Sequence, residues 1–113
     1  MVIFMGKNRD RVSIVAAILE AAYHGSSKTR IMLEANLSFA LLEKYLDVIR
    51  SAGFVQVDNS RYHLTERGRE FLKQYRLFED RYDSVQKLLE ALVSEHDRLT
   101  KFCDASNLLQ IVR

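Results

Sequence analysis

SKTRIMLEANLSFALLEKYLDVIRSAGF, residues 27–54, decides how the rest of the chain is read. It falls into two helical segments joined by a tight polar turn. Ser27 is suited to cap the first, its hydroxyl accepting from a free backbone N–H in the opening turn. Ile31, Met32 and Ala35 form that segment's apolar stripe, and Asn36 tolerates the left-handed backbone that a sharp exit requires. Ser38 is a second N-cap, and Leu37 before it is placed to staple onto Leu42. The second segment carries Leu42, Tyr45, Leu46 and Ile49 on one face and ends before Gly53, a C′ glycine by position. Two short helices set at an angle, the second turned outward, can lay a helix in a DNA major groove. An ordinary helical hairpin shares the pattern, so the flanking segments decide between them.

Upstream, residues 9–24 place Ile14, Val15, Ile18, Leu19 and Ala22 on one helical face, with Asp10 as cap and Gly25 as terminator. A polar Ser26-Ser27 link follows. After Gly53 the period changes from helical to alternating. Residues 54–57 and 61–64 read as short strands about the turn Asp58-Asn59-Ser60, with Tyr62 and Leu64 facing inward and Arg61 and His63 outward. Three helices and then a hairpin make a winged helix-turn-helix, a far more specific succession than the helix pair alone. The fold class is therefore mainly α, a winged helix with a β-hairpin wing followed by a long C-terminal helix.

Thr65 opens that last helix. A seam runs through Phe71, Tyr75, Phe78, Tyr82, Val85, Leu89, Leu92, His96, Leu99 and Cys103, in steps that alternate four and three. This is the heptad spacing of a coiled coil. Residues 71–103 would make a rod of about 50 Å at 1.5 Å per residue, too long to bury its seam on so small a domain. A second copy of the chain is the expected partner, and folding back onto the winged helix is the competing possibility. An antiparallel pair centred near Lys87 sets Phe71 against Cys103, Tyr75 against Leu99, Phe78 against His96 and Tyr82 against Leu92, so that large faces smaller in most layers. It also brings Arg81 near the partner's Glu95. The organisation expected is thus a DNA-binding domain over residues 1–70 and a dimerisation helix with a tail of mixed character over 71–113.

The chain has 113 residues, with 17 basic and 15 acidic side chains. The small excess lies before residue 71, where 10 basic residues meet 8 acidic ones. Bulk charge permits nucleic-acid binding, and local placement of cations must supply the attraction. Lys28 and Arg30, at the start of the first motif helix, are phosphate candidates because the helix N-terminus adds partial positive charge. On the outward face of the second helix stand Ser38, Phe39, Glu43, Lys44 and Asp47, of which Ser38 and Lys44 can reach base edges or phosphate while the carboxylates are repelled by phosphates, although a carboxylate can accept from a cytosine amine. Arg61 and His63 on the wing, and Arg67 and Arg69 at the base of the long helix, complete the set.

Other functions find less support. His24, His63 and His96 are too scattered for a metal site, and Cys103 is the single cysteine, which suits a reducing cytoplasm. No glycine-rich phosphate loop, nucleophile elbow or paired catalytic carboxylates occur, so neither an enzyme nor a cofactor is expected. No small-molecule ligand is evident. No apolar run approaches the roughly 18 residues of a membrane span, and the opening MVIFM is too short for a signal peptide's apolar region.

The runs KTRIMLEANLSFALLEKYLDVIRSAGFV and YHLTERGREFLKQY resemble small archaeal winged-helix DNA-binding proteins, chromatin-associated or regulator-like, which dimerise through an antiparallel coiled coil. The residues that carry the resemblance are Lys28, Thr29, Ile31, Met32, Ala35 to Ser38, Tyr45, Leu46, Gly53, Leu64, Thr65 and Gly68. It covers residues 10–75, and the coil matches in pattern only. What it implies is double-stranded DNA binding by a homodimer without enzymatic activity, in the cytoplasm and associated with the nucleoid. The alternative is a protein-interaction module that keeps the winged-helix scaffold without binding DNA. Crosslinking tests the orientation of the coil: ready formation of an intersubunit Cys103–Cys103 disulfide speaks for a parallel pair, and its absence under oxidation is expected of the antiparallel one.

Overall fold

Helix α1 (Arg11–Ala21) is the centre of the head because it is apolar on more than one face: Ile14, Val15, Ala16, Ile18 and Leu19 are all buried. Asp10 caps it by accepting from the Ser13 N–H at 2.8 Å. Around it the computed structural model, which describes residues 9–105, arranges β1 (Ser26–Ser27), α2 (Lys28–Ala35), α3 (Phe39–Ser51), β2 (Val55–Asp58), β3 (Arg61–Leu64) and α4 (Glu66–Ala105). The three strands form one antiparallel sheet in the order β1-β3-β2. This is a mainly helical winged helix-turn-helix with a long C-terminal helix, as the sequence predicts.

The helix-turn-helix is closed by local chemistry at both ends. Ser27 and Ser38 cap α2 and α3, accepting from the N–H groups of Arg30 and Leu41. Asn36 leaves α2 in the left-handed conformation (φ 56°, ψ 57°), and the N–H of Leu37 reaches back to the carbonyl of Met32. Arg9 braces the same turn from outside, its guanidinium donating to the carbonyls of Ala35 and Asn36. Helix α3 ends in the same manner: Gly53 has φ +80°, and the N–H of Phe54 bonds to the carbonyl of Ile49. Ile31, Ala35, Leu42, Leu46 and Ile49 enter the core, while Met32, Leu37 and Tyr45 pack half-buried at its edge.

The wing differs in detail from the sequence expectation. Strand β2 begins at Val55, and the turn is the two-residue pair Asn59-Ser60, both at positive φ (52° and 63°). That is the twist-matched geometry of a tight hairpin, with Asp58 opposite Arg61 across it. Tyr62 and Leu64 point inward and Arg61 and His63 outward, as alternation requires. The Ser26-Ser27 link is more than a linker. It pairs with β3, Ser26 opposite Tyr62 and Ser27 opposite Arg61, and buries Ser26, whose hydroxyl donates to the carbonyl of Ala21.

Thr65 ties the wing to α4. Its N–H bonds to the Phe54 carbonyl and its hydroxyl donates to the Gly53 carbonyl while accepting from the Gly68 N–H. The head continues past residue 70: Leu72 is fully buried, Phe71 and Tyr75 pack against the core, and Arg76 holds Glu20 of α1 through two donors and lies over the Tyr23 ring. One compact unit ends at Arg76 and the next begins at Leu77. Asp104 and Ala105 belong to α4, and the expectations for residues 1–8 and 106–113 fall outside the described residues.

Gly68 is buried where α4 crosses the Phe54 backbone, and a Cβ there would collide with the Phe54 carbonyl. Gly68→Ala gains about 1 kcal/mol of helix propensity. Overpacking against backbone costs more, typically about 1–3 kcal/mol. The outcome expected in denaturant unfolding is net destabilisation with a lowered midpoint.

Candidate nucleic-acid interface

The outward face of α3 and the elements beside it form the candidate surface. Phe39, Lys44, Asp47 and Val48 are exposed, and Glu43 is half-buried. Ser38 is committed to capping, so its hydroxyl serves the helix before any ligand. Lys44 projects to solvent.

At the beginning of α2 the two cations named from sequence are engaged by carboxylates of the same molecule. The Lys28 ammonium pairs with Glu43 Oε2 and lies 5.4 Å from the centroid of the Phe39 ring. The Glu43 hydrogen bond raises the Lys28 pKa above its ordinary value, with lesser contributions in the same direction from Glu43's charge, Tyr62 and Asp47, and with desolvation opposing. Because the shift is upward, the stabilisation it represents is present at neutral pH and fades only as pH rises through the raised lysine value. Arg30 bonds Glu34 one turn along α2 at 2.8 Å. It stays largely exposed, so that pair contributes little to stability.

Strand β1 brings the turn end of the wing to this point. Ser27, the cap of α2, lies opposite Arg61, and Arg61 Nη2 donates to the Gly25 carbonyl at 3.0 Å. The His63 imidazole packs over Gly25 closely enough that a Cβ there would meet its Cε1 at 2.8 Å. Lys28, Arg61 and His63 thus gather around β1, whereas Arg67 lies over the Phe54 ring at 5.8 Å beside the exit from α3. Arg69 is exposed in the early turns of α4. Among the described residues, the side chains of Lys44 and Arg69 have no ion-pair or hydrogen-bond partner.

The candidate dimerisation residues separate into two groups. Phe71 and Tyr75 are half-buried against the core of the head. From Phe78 onward the seam is largely open: Val85, Leu89, Leu92 and Leu99 are 63%, 53%, 52% and 63% exposed. Phe78 stacks on Tyr82 within the helix, ring centroids 6.3 Å apart, and His96 is exposed. Cys103 is a free thiol of intermediate exposure. Apolar exposure also extends beyond the seam to Leu77, Leu88, Val93 and Phe102.

Sequence reading placed Glu43 on the outward face but not its partnership with Lys28, which lies 15 residues away and becomes a neighbour only through the angle between α2 and α3. It also missed Arg9 as a brace, because the carbonyls it serves lie 26 and 27 residues distant. No group of His, Cys, Asp and Glu able to hold a metal ion occurs among the described residues, and no helix among them is long and apolar enough to cross a membrane.

Comparison with known proteins matches this geometry. The profile of the winged helix-turn-helix family matches residues 8–83. Uncharacterized protein MJ0287 of Methanocaldococcus jannaschii is 36% identical over 73 residues, covering 63% of this chain and 75% of the relative. Among solved structures, Sso10a-2, a DNA-binding protein from Sulfolobus solfataricus, superposes with a TM-score of 0.58 at 25% identity, covering 74% of this chain and 97% of its own. Ligand-free NadR superposes with a TM-score of 0.56 at 18% identity, over 93% of this chain and 82% of its own, a likeness of fold. The similarity to small archaeal winged-helix proteins holds. On the extent of the profile match and the architecture together, the chain belongs to the winged helix-turn-helix family.

Proposed function

We propose that this protein binds double-stranded DNA as a non-enzymatic homodimer, α3 entering the major groove and α4 supplying the contact between copies. The observation that carries the DNA reading is the likeness to the DNA-binding protein Sso10a-2 over 97% of that chain. The geometry is consistent with it: α3 is capped, braced and outward-facing, with Lys44 uncommitted on it and Arg69 uncommitted on α4. Dimerisation is supported by the row of exposed apolar side chains from Leu77 to Phe102, which water disfavours and a second helix would cover. In an antiparallel register centred near Lys87, Val85 meets the partner's Leu89, so that two of these exposed side chains cover each other. The role is architectural, coating or bridging duplex DNA, or regulatory. Both place the protein with the nucleoid in the cytoplasm.

A second reading has its own support. Lys28 and Arg30 are engaged by Glu43 and Glu34, while Leu33, Phe39 and Val48 are exposed at 70%, 57% and 59%. A surface with masked cations and bare apolar groups also suits a protein partner. Charge reversal at Lys44 and Arg69 separates the readings, since it abolishes DNA binding under the first and spares partner binding under the second. Arg61 is a poorer choice for this test because its guanidinium also supports Gly25.

Binding to random duplex DNA, titrated with salt, tests the leading reading. With four phosphate contacts the affinity should fall about 100-fold between about 50 and 200 mM salt. No mobility shift of plasmid DNA at low salt would overturn it. For the dimer, the wild-type chain should sediment as two copies and the double variant Leu89→Asp, Leu92→Asp as one. A wild-type protein that sediments as a single chain at high concentration removes the proposed dimer.

A further inference from the structure

A carboxylate on a helix destined for the major groove is repelled by the DNA backbone unless its charge is neutralised and it finds a donor. Glu43 satisfies the first condition within the protein itself, because Lys28 from α2 sits on its Oε2. The Lys28 side chain also lies over the ring of Phe39, so three side chains from two helices form one cluster at the start of α3. Phe39 and Glu43 are one turn apart and share a face of the helix. The Glu43 side chain keeps 42% of its exposure despite the ion pair. An ionised carboxylate offers about four lone-pair sites, and one ammonium leaves the second oxygen with acceptor capacity.

In the major groove the cytosine N4 amine is a donor that a carboxylate can meet, whereas thymine O4, guanine O6 and purine N7 are acceptors that repel it. Adenine offers a donor at N6 beside the acceptor N7, a pair matched by an amide and not by a carboxylate. We propose that Glu43 is a specificity-determining residue, one oxygen accepting from the N4 amine of a cytosine while Lys28 neutralises the other. The proposal rests on the DNA-binding reading above. It gives the acidic character of the groove-facing helix a function: on the wrong base pair the carboxylate is left facing an acceptor, and the mismatch is rejected.

Selection from a library of random-sequence duplexes with the full-length chain tests this, together with affinities for a selected and a random duplex. The wild-type protein should enrich a cytosine at one position of its site. Glu43→Gln should move that preference to adenine, which glutamine meets at N6 and N7, and Glu43→Ala should erase it. Each change should alter discrimination at that position by about tenfold. Both variants should also bind random DNA more tightly, having lost a negative charge. If both bind more tightly yet enrich the wild-type sequences unchanged, Glu43 is only a counterweight to Lys28 and the proposal fails while DNA binding stands. Wild-type binding without any enrichment overturns it as well. Failure of all three proteins to bind any duplex at low salt overturns the underlying DNA reading too.

Discussion

The head depends on a close crossing of backbones. Where α4 leaves the wing, Gly68 lies against the carbonyl of Phe54 with no room for a side chain between them. Thr65 secures the crossing, bonding the Phe54 carbonyl through its own N–H and the Gly53 carbonyl through its hydroxyl. Gly53 and Phe54 are in turn the residues that end α3 through the bond from the Phe54 N–H to Ile49. One junction therefore fixes the end of the outward helix, the entry to the hairpin and the start of α4. With α4 so placed, Leu72 reaches the core and Arg76 reaches Glu20 on α1 and Tyr23 just beyond it. A bulkier residue at position 68 would lift α4 and loosen each of these contacts.

The charge distribution follows a different logic from that of a strongly basic DNA-coating protein. The excess of cations is small, and several of those near the candidate interface already have partners: Lys28 with Glu43, Arg30 with Glu34, and Arg61 with the Gly25 carbonyl. Such half-exposed pairs add little to stability. Their effect falls instead on binding. In the proposed DNA complex a phosphate would compete with a carboxylate for Lys28 and Arg30, which would lower the sequence-independent attraction and leave a larger share of any selectivity to groups on α3. Magnitude supports this division, since a good base contact discriminates by about 1–3 kcal/mol.

Much of the fold was legible because its determinants are local. Ser27, Ser38, Asn36 and Gly53 perform the capping and turning their side chains or φ preferences predict, within a few residues of where they stand. The alternation of Arg61, Tyr62, His63 and Leu64 likewise fixes which face is buried. What could not be read was long-range. Strand β1 has two serines and no pattern of its own, and it exists only because β3 arrives beside it. Arg9 reads as the first residue of the opening helical segment and instead serves the carbonyls at the end of α2. Phe71 and Tyr75 keep the heptad spacing of the seam, but the period does not say what covers each residue, and these two lie against the head. At the candidate site the Arg30–Glu34 pair lies within one helical turn, whereas the Lys28–Glu43 pair joins two helices and could not be foreseen.

The modest charge of one head and the long apolar row of α4 make sense together. A head with few uncommitted cations would bind random duplex weakly, in the range of about 10⁻⁴–10⁻⁶ M typical of non-specific contacts at physiological salt. Joining two heads turns the second binding event into an intramolecular one, and such linkage raises overall affinity by about 10²–10⁴-fold without a new contact. In the proposed dimer, Val85, Leu89, Leu92 and Leu99 provide that linkage from residues that touch no DNA. In that proposed assembly affinity would depend on the coil and discrimination on α3, so each could be altered without the other. Weak single heads also release non-cognate DNA readily, whereas the joined pair remains on a duplex that satisfies both.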